Sequence, residues 1–314
     1  MGLFTKSFVV DLGTSTTQVY ERGAGVVLDE PSIVAMDKPD GKIVAVGNAA
    51  MVAAEKNPDS IIITKPLLNG AVADYDITRS MIKSFLRKCP AGIAKPQVSI
   101  IVPGGITEVE KRAVKEAFLS AGAKAVSFAD KALMCAHMSG VAKEMSGSMI
   151  IDIGGGTTEL ALFSFGGVVS SRSIRVGGDN FDSAIREYIR KNYDMIIGIR
   201  SAEHIKRSLD SVGEGDVAVN GRDIKSGLPK TVFLCSAGIM DAMRSCITEI
   251  SDAAGSMLQD APADLALDIK EKGILITGGG GRLSGLCGLL GNRLNMPVHY
   301  REKDPDFEKY LGGK

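Results

Sequence analysis

Two carboxylates, Asp11 and Asp152, each close a short apolar run and open a turn of glycine and hydroxyl residues. The two stretches read Val10-Asp11-Leu12-Gly13-Thr14-Ser15-Thr16-Thr17 and Ile151-Asp152-Ile153-Gly154-Gly155-Gly156-Thr157-Thr158. An alternating run follows each one, Gln18-Val19-Tyr20 and Glu159-Leu160-Ala161. The pattern predicts strand, tight turn, strand, with an Asp at the tip of each first strand. Glycine in such a turn lets backbone N–H groups come close to an anion. Successive N–H groups form a nest that suits phosphate, and the Thr and Ser hydroxyls add donors. An Asp does not bind phosphate directly, but it holds a hydrated Mg²⁺ that does. Asp11 and Asp152 are therefore the candidate metal residues, acting through water. Either copy alone reads equally well as an ordinary Gly-Thr hairpin. Two copies with Asp, Gly, Thr and Thr in register point to two homologous halves clamping one polyphosphate.

A third glycine turn, Ile276-Thr277-Gly278-Gly279-Gly280-Gly281, follows a strand-like run and precedes a helical one. A helix N-terminus attracts anionic groups, and glycines admit a flat base or a ribose. The turn is not a Walker A loop, because no GK[ST] follows the glycines. It also lacks the dinucleotide-binding spacing. The histidines His137, His204 and His299 are far apart, and the five cysteines are scattered without CxxC pairing. That excludes a zinc cluster or a disulfide frame and fits reduced thiols.

Elements must position these residues. Strands are predicted at Phe8–Asp11, Thr17–Glu21 and Gly25–Leu28, then at Val98–Val102 and Ala125–Phe128. Ile77–Lys88 is an amphipathic helix with Met81, Ile82, Phe85 and Leu86 on one face. Thr107-Glu108-Val109-Glu110 is a capping box that opens another helix, and a helix from Asp130 to Val141 follows. The second half repeats the meander at Met149–Ile153, Thr158–Phe163 and Val168–Ser173. A helix carrying Phe181, Ile185 and Ile189 comes next, then a long helical pattern over Ser236–Leu258, a strand Gly273–Thr277 and a helix Leu283–Leu290. Turn-rich stretches over 31–72 and 193–232 read as small insertions. The expected organisation is lobe I over 1–145 and lobe II over 146–314, with 295–314 packing back toward lobe I.

The chain has 314 residues, enough for two domains on a prior of about 150 each. Hydrophobic residues make up 45%, ample for two cores, and 37 basic residues balance 37 acidic ones. Zero net charge gives no electrostatic reason to bind nucleic acid and does little to resist self-association. No apolar run approaches the roughly 20 residues of a membrane span. The N-terminus is too short for a signal peptide and misses the myristoylation pattern at Lys6. Leu3 and Phe4 are the candidate membrane-surface contact.

The hairpins and the glycine turn occur in the order of the actin, sugar-kinase and heat-shock chaperone ATPases. Further segments sharpen the likeness: Leu28-Asp29-Glu30-Pro31-Ser32-Ile33-Val34-Ala35, Val102-Pro103, Arg175-Val176-Gly177-Gly178-Asp179-Asn180-Phe181-Asp182 and Ala202-Glu203-His204-Ile205-Lys206. With them the chain resembles the MreB family of bacterial actins from about residue 7 to 305. The resemblance implies an α/β actin-like fold: two related lobes of mixed sheet flanked by helices, each with a small inserted subdomain. ATP and Mg²⁺ would sit in the cleft between them. Thr14, Ser15 and Thr16, beside Gly13, would meet the β- and γ-phosphates, with Asp11 on the Mg²⁺ side. Family members often carry Asn at the position of Thr16. Asp152, Gly154, Gly155, Gly156 and Thr157 would form the opposing clamp. Gly177, Gly178 and Asp179 would lie near ribose and phosphates at a helix start. Glu203 and Lys206 would flank the adenosine, and Gly278, Gly279 and Gly280 would close over it. Without the resemblance, Glu203 and Lys206 read as an i, i+3 surface ion pair.

One departure bears on mechanism. Members of the family usually carry Glu-Pro where the third strand of this lobe enters a helix, and that Glu positions the attacking water. The matching stretch here is Phe128-Ala129-Asp130-Lys131-Ala132, with Lys131 at the Glu position. Asp130 is the candidate substitute, one residue early and so about 100° around a helix. The chain also stops at Leu311-Gly312-Gly313-Lys314, where the family continues into a final helix. The loop Cys89–Pro96, which can dip into the membrane in this family, carries Ile93 as its one large apolar residue. The resulting expectation is an ATP-binding cytoskeletal protein of the cytoplasm or inner membrane face. It would polymerise with copies of itself into filaments that support cell shape, and its ability to hydrolyse ATP hangs on Lys131. The alternatives are a nucleotide-gated module that does not polymerise, and a small-molecule kinase of the same superfamily.

Overall fold

The computed structural model describes residues 6–303, except 22, 91, 93 and 213–214. The first half runs β1 (Ser7–Leu12), β2 (Thr16–Glu21), β3 (Gly25–Pro31), β4 (Val34–Asp37), β5 (Ile43–Val46), α1 (Asn48–Lys56) and β6 (Ile61–Thr64). It continues with β7 (Leu67–Leu68), β8 (Ala71–Val72), α2 (Tyr75–Lys88), β9 (Gln97–Val102), α3 (Glu108–Ala121), β10 (Ala125–Asp130) and α4 (Lys131–Ser139). The second half runs β11 (Ser148–Ile153), β12 (Thr158–Ser164), β13 (Gly167–Ile174), α5 (Gly178–Tyr193), β14 (Met195–Ile196), α6 (Ile199–Val212), β15 (Asp216–Asp223) and β16 (Pro229–Cys235). It ends with α7 (Ser236–Ala242), α8 (Arg244–Gln259), α9 (Ala263–Lys272), β17 (Ile274–Thr277), α10 (Leu286–Leu294) and β18 (Val298–Tyr300).

Two five-stranded sheets organise these elements, and both have the same plan. The orders are β10-β9-β1-β2-β3 and β13-β12-β11-β17-β18. In each, a central strand pairs antiparallel with the next strand in sequence and parallel with a later one. A tight turn can join only the antiparallel pair; the parallel neighbour must come after a helical crossover. The repeat extends to register. Asp11 pairs with Gln18 and Asp152 with Glu159; Leu12 pairs with Thr17 and Ile153 with Thr158. The central strands β1 and β11 end on the same edge of their sheets, where ligands of open α/β sheets bind.

The central strand β11 is buried on both faces, so it reads as a nearly continuous apolar run rather than an alternating one. The face of α5 predicted from spacing is the buried one: Phe181, Ile185 and Ile189 are sealed from solvent. In lobe I, Phe8 and Val10 of β1 pack with Met81, Ile82 and Phe85 of α2. The capping box of α3 is formed. Thr107 Oγ1 accepts the Glu110 N–H at 3.2 Å, and Glu110 Oε2 accepts the Thr107 N–H at 2.9 Å.

Helix α4 couples the lobes. Ala132, Cys135 and Ala136 pack on Ile150, Ala161 and Phe163 of the second sheet, while Met134 and Met138 pack on Tyr20 and Ile101 of the first. The two insertions each build a three-stranded sheet, β5-β4-β6 and β14-β15-β16.

One expectation is revised. The run over 236–258 is two helices, parted at Met243, where ψ is −1° and the side chain is fully buried. The apolar period continues through this break, so periodicity does not reveal it. Helix α9 is an addition that the apolar spacing does not single out. Of the segment after residue 295, the described part pairs on lobe II as β18, and Arg301 just beyond it donates to the Ser139 carbonyl of lobe I at 2.6 Å. Residues 304–314, Leu3, Phe4 and Ile93 lie outside the described residues.

Candidate functional site

The carboxyl ends of β1 and β11 face each other across a cleft of about 1030 Å³. Both hairpins reach it, closed by the same backbone bond: Gly13 N–H to Thr16 O at 3.1 Å, and Gly154 N–H to Thr157 O at 2.9 Å. The tips are in contact. A Cβ on Gly155 would run into Ser15, and one on Gly156 would run into Thr14 and come within 3.0 Å of the Asn69 Cα. Glycine is required there by the approach of the opposite hairpin. Thr14 Oγ1 accepts the Gly70 N–H at 2.9 Å, and Ser32 Oγ donates to the Gly13 carbonyl at 2.6 Å. The first hairpin is thus held from behind by lobe I itself.

Every residue expected at the site lines this cleft except Asp130 and Gly177. Asp130 is the N-cap of α4, and its carboxylate accepts the Leu133 N–H at 3.0 Å on the exposed side. That role commits it to the helix, so it does not replace the missing Glu. Gly177 lies behind the second hairpin, pressed on the carbonyls of Gly154 and Gly155. The α5 start is also spent: Gly178 N–H donates to Gly154 O at 2.9 Å and Asp179 N–H to Gly155 O at 2.8 Å. These donors brace the hairpin and do not face a phosphate. The third glycine turn is a single 3₁₀ turn over Gly279–Arg282, and α10 begins only at Leu286. No helix N-terminus therefore sits at those glycines, although Gly278, Gly279 and Gly280 line the cleft.

Asp179 links the lobes. Its Oδ1 accepts from Ser15 Oγ at 3.2 Å and from Lys65 Nζ at 2.8 Å. Glu203 and Lys206 do not pair with each other. Lys206 lies 2.7 Å from Asp182 Oδ1 and donates to the Gly178 carbonyl at 2.9 Å, while Glu203 takes Arg207 at 2.6 Å.

The cleft floor holds the charges. Lys303 Nζ is 2.9 Å from Asp152 Oδ1 and 3.0 Å from its Oδ2. Lys131 Nζ is 3.9 Å from both Asp11 Oδ1 and Asp152 Oδ2. Asp152 is only 1% exposed. Burial works against its charge, but Lys303 and Lys131 outweigh it and hold the carboxyl below the usual range. Burial likewise opposes the ammoniums, and the aspartates keep both of them protonated. Cys135, whose Sγ approaches Asp152 Oδ2 at 3.3 Å, has its thiol pushed well up by burial and is inert.

This floor, two glycine hairpins and an interlobe latch make a site for a polyanion contacted from both sides. The family model described as MreB/Mbl protein matches residues 5–307. The chain belongs to the MreB/Mbl family. Mbl of Bacillus subtilis (strain 168), a cell shape-determining protein, is 38% identical over 311 residues, covering 97% of this chain and 93% of its own. MreB of Escherichia coli (strain K12), also a cell shape-determining protein, is 38% identical over 325 residues, covering 100% and 94%. Among solved structures, MreB5 of Spiroplasma citri bound to ADP superposes with a TM-score of 0.86 at 32% identity, covering 98% of this chain and 95% of that one. The same protein bound to AMPPNP gives 0.84, covering 94% and 91%. A MamK double helical filament shares the fold, with a TM-score of 0.78 at 20% identity. The actin-like architecture implied by the resemblance is thereby established, and with it the membership of this chain among MreB/Mbl proteins.

Sequence reading missed Lys65, Asp182 and Lys303. Lys65 and Lys303 sit in no local motif and look like solvated surface charge, while Asp182 closes the Arg175–Asp182 segment without any local sign that it would hold Lys206. Lys303 is placed by the pairing of β18 on β17, which no local spacing shows.

Proposed function

We propose that this MreB/Mbl protein binds ATP between its lobes and assembles head to tail into filaments that serve as a cytoskeletal, cell-shape element. The observation that carries the reading is the contact of the two hairpins across the cleft, latched by Asp179. A nucleotide touching both hairpins favours the closed form by its differential affinity for it. A closed form with a heterologous interface repeats without end and gives a filament. The nucleotides in the Spiroplasma citri structures support the same ligand class.

The Mg²⁺ expected with ATP is not matched by the residues present. Asp11 and Asp152 are in place, but the Lys131 ammonium occupies the space between them and Lys303 covers Asp152. Hydrolysis would be slow, because Lys131 has only donors and cannot orient water by accepting its proton. The protein would work in the cytoplasm or at the inner membrane face. Among the described residues no helix is long and apolar enough to cross a membrane.

Sedimentation with and without ATP, read alongside electron microscopy and phosphate release, tests the proposal. ATP-dependent pelleting into filaments is expected. A chain that binds ATP and stays monomeric across salt conditions would establish the nucleotide-gated module instead, and phosphate transfer to a sugar or to acetate would establish the kinase.

A further inference from the structure

Lys131 and Lys303 stand at equivalent points of the two lobes. Asp11 pairs with Ile101 in β9, and Asp152 pairs with Thr277 in β17. One step back, Ile100 pairs with Phe128 of β10, and Ile276 pairs with Tyr300 of β18. Lys131 and Lys303 each lie three residues beyond those partners. The internal repeat therefore delivers one lysine from each lobe, from just beyond the strand two places from the central one, to the same spot on the cleft floor.

Both ammoniums converge on the aspartate pair. Lys303 is in contact with both oxygens of Asp152, and Lys131 is equidistant from Asp152 and Asp11. The two positive charges balance the two negative ones. A hydrated divalent cation held by Asp11 and Asp152 would need the place of the Lys131 ammonium and would face a second ammonium beside it. Repulsion between like charges at such range is strong where water is partly excluded. Both lysine side chains are mostly buried, at 13% and 21% exposure, yet both line the cleft. Each ammonium carries three donors, and a lysine binds phosphate as a point charge.

We propose that Lys131 and Lys303 take the place of the divalent cation, so that the cleft binds the phosphate chain of a nucleoside triphosphate as the metal-free anion. The proposal rests on the nucleotide reading above. Asp11 and Asp152 then serve to hold the two ammoniums in position, and the ammoniums swing the short distance to phosphate oxygens when the nucleotide arrives.

The test is ATP binding by calorimetry to the full chain, once with excess Mg²⁺ and once in EDTA. The parent should bind in EDTA with an affinity within about threefold of that in Mg²⁺, a difference well under one tenfold step. Lys131→Gln and Lys303→Gln, each checked for folding by thermal denaturation, should each weaken binding in EDTA by about tenfold or more, as loss of a charge-assisted hydrogen bond does. Lys131→Gln should in addition bind more tightly with Mg²⁺ than without it. Failure of the parent to bind ATP in either condition overturns the nucleotide reading and this one with it. Binding that disappears in EDTA overturns the lysine assignment alone, and the parent comparison decides this even where a variant does not fold. Binding that persists in EDTA and ignores both substitutions also overturns the assignment.

Discussion

Ser15 and Asp179 are hydrogen-bonded across the cleft at 3.2 Å, joining the tip of the first hairpin to the first turn of α5. Lys65 meets the same carboxylate oxygen at 2.8 Å. One acidic side chain of lobe II therefore gathers two groups of lobe I. Asp179→Ala removes both links and leaves Lys65 unpaired. ATP affinity should fall by about tenfold, the scale of losing a hydrogen bond to a charged group, and the nucleotide-free protein should expand in small-angle scattering. Unchanged affinity together with an unchanged radius would mean that Asp179 does not hold the lobes.

The hairpin contact makes a sharper prediction at Gly155. A Cβ there would lie 2.6 Å from the Ser15 Cβ, with backbone behind it. Gly155→Ala should force the hairpins apart and cost about 1–3 kcal/mol, as overpacking of a close contact does. Ser15→Gly removes the obstructing side chain, so Ser15→Gly with Gly155→Ala should recover much of the loss. Chemical denaturation of the single and double variants measures this coupling. Strictly additive effects would show that the tips do not touch in solution.

The parts of this site that were legible in the sequence are those carried by consecutive residues. Asp11 with Gly13–Thr16, and Asp152 with Gly154–Thr157, each write their own turn, and the lobe repeat follows from seeing the pattern twice. The buried faces of α2 and α5 were equally plain in their 3.6-residue spacing. What was not legible came from tertiary register. Nothing near Lys303 marks it as a cleft residue; only the pairing of β18 on β17 puts it where β10 puts Lys131. The role of Asp130 turned on whether it lay in the helix or capped it, a difference of one residue. The fate of the α5 N–H groups depended on the hairpin packed against them, which no local pattern encodes.

Glu110 gives a pH-dependent prediction. The Thr107 N–H and hydroxyl hold its carboxyl below the usual 4.5, with Arg175 of lobe II helping at 3.0 Å and burial opposing. A carboxyl lowered in the folded state adds stability above its unfolded pKa and loses it as pH falls through the folded one. The contribution is therefore complete at neutral pH, begins to fall below about pH 4.5 and is lost as pH drops through the lower folded value. Glu110→Gln should lower stability at pH 7 by about 1 kcal/mol, typical of a cap, and the gap between variant and parent should narrow as the medium is made acid. Urea titrations at neutral and acid pH check it; a gap of the same size at both would assign the effect to shape and not to charge.

Lys131 carries the last prediction. Phosphoryl transfer to water needs the nucleophile positioned and the developing charge stabilised, with little covalent chemistry from the protein. An ammonium at this position stabilises charge but cannot take a proton from water, so the parent should release phosphate slowly and its ATP-bound assemblies should be long-lived. Lys131→Glu restores the residue type the family places there. It also removes one of the two positive charges opposing a divalent cation between Asp11 and Asp152. The two effects should appear together: ATP binding that depends on Mg²⁺, and turnover raised about 10²-fold, the usual share of a positioned base. A phosphate-release assay across Mg²⁺ concentrations reads both. Brisk release by the parent, untouched by Asp130→Ala, would show that another residue orients the water and that Lys131 governs binding alone.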